Sequence, residues 1–161
     1  MKKLTAKKAE LDSFDRAILK LLQRNNKTPQ REIAEQVNLS TAAVQRRIVE
    51  LEAAGVIRGN IAVVDPKALG RGVTVVVEVH LISDQSSVIT PAKALFSSVP
   101  ELQQCYHVTG NGGLILILLV EDMEAYGVLA MKLFADNPLV STFRSLPVLD
   151  RVKVGLEVDF D

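Results

Sequence analysis

The chain has 161 residues, nearly half of them hydrophobic, and a formal net charge of zero. This composition allows a buried core and excludes a wholly disordered chain. The apolar run at 114–120 is far short of the roughly 20 residues that cross a bilayer, and the basic N-terminus lacks the apolar core of a signal peptide. A single cysteine, Cys105, excludes an internal disulfide. These features predict a cytoplasmic protein with no membrane partner.

Charge is unevenly distributed along the chain. Residues 1–64 hold 12 Lys and Arg against 7 Asp and Glu, whereas residues 65–161 hold 7 against 12. The first part therefore carries +5 and the second −5. Opposite charges on two parts indicate two modules with different partners, and the basic module is the candidate for binding a polyanion.

The basic part has apolar residues at helical spacing over 11–55, which predicts three short helices. The second helix is expected at 30–37, "QREIAEQV", with Thr28 and Pro29 suited to its N-cap and first-turn positions. The third should run from the N-cap Ser40 to about residue 54, where Gly55 ends it. A three-residue turn separates the second helix from the third. Residues 1–64 therefore predict a helix-turn-helix domain.

The acidic part changes to the period of β-strands. An extended stretch at 56–65 leads into a Pro- and Gly-rich linker at 65–72. Beyond it, an Asn-Gly pair between two apolar runs is typical of a β-hairpin. The predicted order of strand, helix, strand, strand, helix, strand is that of a ferredoxin-like βαββαβ domain over 73–161. The predicted strands lie at 73–82, 101–109, 114–120, 139–149 and 151–158, and the predicted helices at 89–98 and 123–136. The fold class is α+β.

The strands at 73–82 and 114–120 are apolar on both faces. Two helices can cover only one face of a four-stranded sheet, so the other face needs a partner. We therefore expect the chain to form a homodimer through this domain.

Four segments carry a recognisable pattern: "LDSFDRAIL" and "LSTAAVQRRIVELEAAGVI" in the basic part, "DPKALG" in the linker, and "YHVTG" ahead of the hairpin. In these segments and their spacing the chain resembles the Lrp/AsnC (leucine-responsive, or feast/famine) transcription regulators over nearly its whole length. The resemblance implies a helix-turn-helix joined to an amino-acid-sensing βαββαβ domain. It also implies dimers that bind double-stranded DNA, assemble into tetramers, octamers or larger particles, and respond to a small effector.

The helix at 40–54 is then the expected recognition helix, with its N-terminal residues nearest the DNA bases. Gln45 and Arg46 are the candidates for base reading, because Gln pairs with adenine and Arg with guanine. Arg47 lies beside the apolar stripe and has a phosphate or structural role. The full set of predicted DNA-binding residues is Thr28, Gln30, Arg31, Ser40, Thr41, Ala42, Gln45, Arg46 and Arg47.

In the resembling family the loop after "VTG" helps to form the effector pocket, commonly with an acid three residues after the glycine. That position is Gly113 in this chain, which has no side chain. Backbone groups of the loop can still hold an amino acid such as leucine or methionine, or the site has lost this ligand. A second segment of the family's pocket corresponds to 137–145, where Arg144 is a possible carboxylate partner. The predicted effector-binding residues are Thr109, Gly110, Asn111, Gly112, Gly113, Val140, Ser141, Thr142 and Arg144.

Two other classes of function compete with a ligand-responsive regulator. An enzyme is not expected, because no nucleophile motif, phosphate-binding loop or metal cluster is present in the sequence. His80 and His107 each have one possible co-ligand, which falls short of a metal site, and no cofactor is predicted. An architectural DNA-binding protein, whose second domain assembles but senses nothing, remains an alternative because position 113 lacks the acid.

Overall fold

The computed structural model describes residues 10–109 and 113–160, which form two compact units. One unit ends at Ala62 and also includes the C-terminal residues from Gly155. The other spans Val63–Val154. The sequence placed everything from residue 73 to the end in the second domain, so the structure differs at the C-terminus. The physical reason is a set of hydrogen bonds that hold residues 158 and 160 to the first helix.

The first unit contains three helices: α1 (Ser13–Arg24), α2 (Gln30–Val37) and α3 (Thr41–Ala53). Each contributes to one core, whose buried members are Ile18, Ile33, Ala34, Val37 and Val44. This arrangement confirms the predicted helix-turn-helix. Within the described residues, no helix is long and apolar enough to cross a membrane.

Local capping sets the bounds of these helices. The side chains of Asp12 and Asp15 accept each other's backbone N–H, which closes a capping box at the start of α1. The Ser40 hydroxyl accepts the Ala43 N–H at 3.2 Å and starts α3. The prediction that Thr28 caps α2 is wrong: the N-cap is Pro29, and the Thr28 hydroxyl donates to the Asn25 carbonyl at 2.7 Å. The predicted helix at 30–37 is confirmed.

Two residues with positive φ end the helices of the motif. Asn38, with φ of 55°, closes α2 and turns the chain toward α3. Gly55, with φ of 70°, follows α3 as predicted. Beyond it, residues 56–72 contain a single 3₁₀ turn, Lys67–Leu69, and the extended sequence at 56–65 forms no strand with the described residues.

The second unit has the predicted βαββαβ order. Its elements are β1 (Val73–Leu81), α4 (Ser86–Ser97), β2 (Leu102–His107), β3 (Gly113–Val120), α5 (Met123–Ala130) and β4 (Val140–Pro147). A π-helical turn, Met131–Ala135, continues α5. The sheet order is β2-β3-β1-β4, with every described neighbour antiparallel. The ferredoxin-like α+β prediction is confirmed. The predicted strand at 151–158 is absent from the described residues, since this segment lies beside no strand that could complete its ladder.

Alternate residues of β1 and β3 face the helices and form the main core. Its sheet side is buried and apolar, as at Val77 and Leu116, which are cross-strand partners. Phe134 closes this core, with its ring 5.9 Å from that of Phe96 and 5.0 Å from that of Phe143. The core therefore fixes the register of the strands, because a shift by one residue would turn every core side chain outward.

The opposite face of the sheet, here called the outer face, has no helix over it. Around the Glu78–Arg144 ion pair this face carries both apolar and polar side chains. The apolar ones are Val76, Tyr106, Ile115, Ile117, Leu119 and Leu146, and the polar ones are Thr74, His80, Gln104 and Thr142. The chain after β4 covers one end of this face: Val148 and residues 150–154 line a pocket with Thr74, Val76, Gln104 and Ile117, and Val148 donates its N–H to the Thr74 carbonyl at 2.9 Å.

Candidate DNA-binding surface and effector site

α3 has one buried side and one exposed side. Val44 and Leu51 are buried in the helical unit. The exposed side carries four residues at the spacing of one helix face, here called the α3 surface: Thr41, Ala42, Gln45 and Arg46. Ser40, which caps the helix, is exposed beside them. The structure therefore brings five of the predicted DNA-binding residues together, at the N-terminal half of one helix.

Arg46 forms an exposed ion pair with Glu50, at 3.6 Å and one turn along the helix. Exposed pairs of this type contribute little stability, so the guanidinium can leave Glu50 for an anion. Arg31 on α2 has a similar exposed partner, Glu35, at 3.2 Å. Gln30 and Thr28 are half-buried near the start of the same helix.

Arg47 points to the other side of α3. Its guanidinium lies 2.6 Å from Asp15 and 2.8 Å from Asp12, and 5.5 Å above the ring centre of Phe14. The hydrogen bond to Asp15 raises the pKa of Arg47. Only a fifth of its side chain is exposed. Arg47 therefore ties α3 to the start of α1, and the structure favours the structural role over the phosphate role. Sequence reasoning missed its two acidic partners, which are more than 30 residues away.

Replacing Arg47 with alanine should lower the free energy of unfolding of the helical unit by about 1–2 kcal/mol, between the values for exposed and buried ion pairs. The reason is that Asp15, itself 15% exposed, loses its cation. Calorimetry should show the melting temperature falling by several degrees. The matched control is Arg46→Ala, which removes an exposed arginine from the same helix. Equal melting temperatures for the two variants would contradict the structural role of Arg47.

The two predicted effector segments meet at one end of the sheet. Gly113, the first residue of β3, lies opposite His80 of β1, and His80 lies opposite Thr142 of β4 on the other side. Val140 pairs with the next residue of β1. Ser141, Thr142 and Thr109 are exposed, Val140 is half-buried and Gly113 is buried. His80, which the sequence did not assign to this site, therefore lies between the two segments.

The predicted loop between β2 and β3 falls partly outside the described residues, which omit Gly110, Asn111 and Gly112. The flanking strands pair antiparallel as the hairpin requires, and Val108 donates its N–H to the Gly113 carbonyl at 3.0 Å.

Arg144 lies two residues farther along β4 and has a protein partner. Its guanidinium forms a two-pronged ion pair with Glu78 on β1, at 2.8 and 2.9 Å. This hydrogen bonding raises the pKa of Arg144. A ligand carboxylate would have to compete with Glu78 for this arginine. Both charged residues are visible in the sequence, but their pairing depends on the strand register of β1 and β4, which the sequence does not show.

Other chemically active side chains are poorly placed for metal binding or catalysis. Among residues 10–109 and 113–160, no three His, Cys, Asp or Glu side chains are grouped as metal ligands. Burial raises the pKa of the Cys105 thiol, which disfavours the reactive thiolate. Asp122 caps α5 by accepting the Ala125 N–H at 2.7 Å, which is a structural role.

Comparison with known families agrees with this architecture. Residues 11–58 match the winged helix-turn-helix DNA-binding family. Residues 74–158, more than half of the chain, match the Lrp/AsnC ligand binding domain. The first match covers the three helices, and the second covers the sheet and its two helices.

Similar proteins include two curated regulators and one solved structure. An uncharacterized HTH-type transcriptional regulator, y4tD of Sinorhizobium fredii, is 36% identical, covering 94% of this chain and 90% of its own. The leucine-responsive regulatory protein of Haemophilus influenzae is 32% identical, covering 95% and 93%. The transcriptional regulator NMB0573 of Neisseria meningitidis, solved as an L-Met complex, is 27% identical and covers 92% of this chain and 96% of its own, with a TM-score of 0.83. The chain therefore belongs to the Lrp/AsnC family of DNA-binding transcription regulators, which are not enzymes.

Proposed function

We propose that the α3 surface reads the DNA sequence in the major groove. The observation that carries the proposal is the division of α3 into a side buried in the helical core and a side exposing Thr41, Ala42, Gln45 and Arg46. Gln45 and Arg46 have the donors and acceptors for adenine and guanine edges. The small Thr41 and Ala42 allow the helix to approach the bases closely.

Phosphate contacts complete this interface in our proposal. Ser40 and Arg31 are exposed and can donate to phosphate oxygens. Thr28 and Gln30 are weaker candidates because both are half-buried and the Thr28 hydroxyl is engaged. Arg47 serves the interface mainly by holding α3 in place.

We further propose that an amino acid with an apolar side chain, leucine or methionine, binds beside Gly113, Val140, Ser141 and Thr142. Two observations support it: these residues converge at one end of the sheet, and similar proteins are named for leucine or were solved with methionine. Thr109 and the loop residues that follow it would provide backbone groups for the polar end of the ligand. Arg144 takes part only if the ligand carboxylate displaces Glu78.

The assembly proposed for this regulator is a homodimer built from two outer faces, which associates further into tetramers, octamers or larger particles. The apolar residues on the outer face support self-association, since helices cover only the other face of the sheet. A regulator of this kind acts where the DNA is, so we place it in the cytoplasm.

One observation favours a second function, an architectural DNA-binding protein that senses no ligand. Gly113 has no side chain to hold an ammonium group, and Arg144 is paired with Glu78. In this alternative the sheet unit serves only for assembly.

Thermal unfolding with each of the twenty amino acids at millimolar concentration separates the two functions. A ligand that binds only the folded state raises the free energy of unfolding, by about 2.7 kcal/mol at 100 times its dissociation constant, and so raises the melting temperature. We expect a rise with L-leucine or L-methionine and none with D-leucine or D-methionine, which serve as matched controls. No rise with any amino acid would contradict the sensing function and favour the architectural one.

A further inference from the structure

The last described residues of the chain are held against α1. The Gln23 side-chain amide donates to the Val158 carbonyl at 3.0 Å, and its oxygen accepts the Val158 N–H at 2.8 Å. Two residues on, the Phe160 carbonyl accepts a hydrogen bond of 3.1 Å from the Arg16 guanidinium. One side-chain amide thus pairs with both backbone groups of one residue, as a neighbouring strand would.

The two residues that hold the segment, Arg16 and Gln23, share one face of α1 with Lys20. Arg16, Lys20 and Gln23 are spaced by four and three residues, so their side chains lie in a row along the helix. Val158 faces the later residue of this row and Phe160 the earlier one, so the segment runs antiparallel to α1. The hydrogen bonds are made to backbone groups of the segment, which favours an extended chain. They do not depend on the side chain of Val158, a residue that is 64% exposed.

Charge favours the same pairing. Residues 155–161 carry three acids, Glu157, Asp159 and Asp161, and no Lys or Arg, whereas residues 1–64 carry +5. An acidic segment is therefore attracted to the basic unit before any hydrogen bond forms.

We propose that the face of α1 carrying Arg16, Lys20 and Gln23 is a docking site for the chain's own acidic C-terminal segment. The chain passes between the two units at Ala62 and Val63 and again at Val154 and Gly155. The docked segment gives the helical unit a second connection to the sheet unit; without docking only the first remains. A second connection restricts the freedom of the helical unit, which narrows the spacing of DNA half-sites that a dimer accepts. Only this last step rests on the proposed DNA contact.

Amide hydrogen exchange of the full-length protein, followed by NMR, tests the docking site. The Val158 N–H should be protected, and Gln23→Ala should speed its exchange by about tenfold, the effect of losing one typical hydrogen bond. Gln23→Glu keeps the acceptor for this N–H but loses the donor to the carbonyl, so its exchange rate should lie between the two. The control is Gln36→Ala on α2, whose amide contacts Glu32 instead. An unprotected Val158, or a rate unchanged in Gln23→Ala, would overturn the site.

The second readout is binding to DNA with two half-sites, selected from random oligonucleotides and then re-spaced. We expect the intact chain to prefer one spacing by at least about tenfold, and Gln23→Ala to lose most of that preference while keeping its affinity for a single half-site. Loss of Val158 protection without any change in spacing preference would overturn the role of the second connection. If the chain bound no DNA at all, the proposed function would fail, and the exchange experiment alone would still decide the docking site.

Discussion

The variant Ile115→Asp is expected to lose self-association, with the dimer dissociation constant rising at least about 100-fold, or about 2.7 kcal/mol. Ile115 lies on the outer face, opposite Glu78 on one neighbouring strand and Tyr106 on the other. A carboxylate there must be desolvated in a dimer and stands beside the existing charge of Glu78. The variant should also bind its operator more weakly, because only a dimer has two linked helical units that bind two half-sites together.

Sedimentation velocity at micromolar concentration gives the mass of each variant. The matched control is Val128→Asp, which puts the same charge on an exposed position of α5, where the wild-type side chain is 72% exposed. We expect the control to keep the wild-type mass. If Ile115→Asp also kept it, the outer face would not be the dimer surface.

The double variant Gln45→Ala/Arg46→Ala should bind its operator about 100- to 1000-fold more weakly, because each two-pronged base contact is worth about 1–3 kcal/mol of discrimination. Binding to unrelated DNA should weaken far less, since phosphate contacts provide it. The steepness of the salt dependence should change by less than one, because Arg46 is placed on base edges and the phosphate contacts remain. Fluorescence anisotropy over a range of salt concentrations measures all three quantities.

Arg24→Ala is the matched control for this variant, since it removes an exposed arginine from α1 outside the α3 surface. It should leave the ratio of operator to non-specific affinity unchanged. If the double variant also kept that ratio, α3 would contact DNA without reading its sequence.

Local chemistry explains which parts of the fold could be predicted from the sequence. The start of α3 at Ser40 and the stop at Gly55 depend on neighbouring residues, and both were predicted correctly. The strand expected at 151–158 was wrong because a strand needs a ladder partner, which no local pattern reveals. The N-cap of α2 was misassigned because the Thr28 hydroxyl donates to the Asn25 carbonyl and accepts no N–H from the first turn of the helix.

The candidate sites also combine features that follow from local sequence with features that depend on tertiary contacts. The exposed side of α3 follows from helical periodicity, so Gln45 and Arg46 could be placed on it from the sequence. The partners of Arg47 and Arg144 could not be named, because they depend on helix packing and strand register over 32 and 66 residues. Position 113 could be paired with Thr142 only once β1 was seen between them.

The Glu78–Arg144 pair has a consequence for which chains can form a dimer through the outer face. It lies on the outer face beside apolar residues such as Ile115 and Leu146, and packing a second copy over it would remove both charges from water. A related chain with a different charge pattern at these positions would leave one of them uncompensated, whereas an identical copy meets the same neutralised pair. The pair would then contribute less to stability than to partner specificity, because it favours homodimers over heterodimers with related chains.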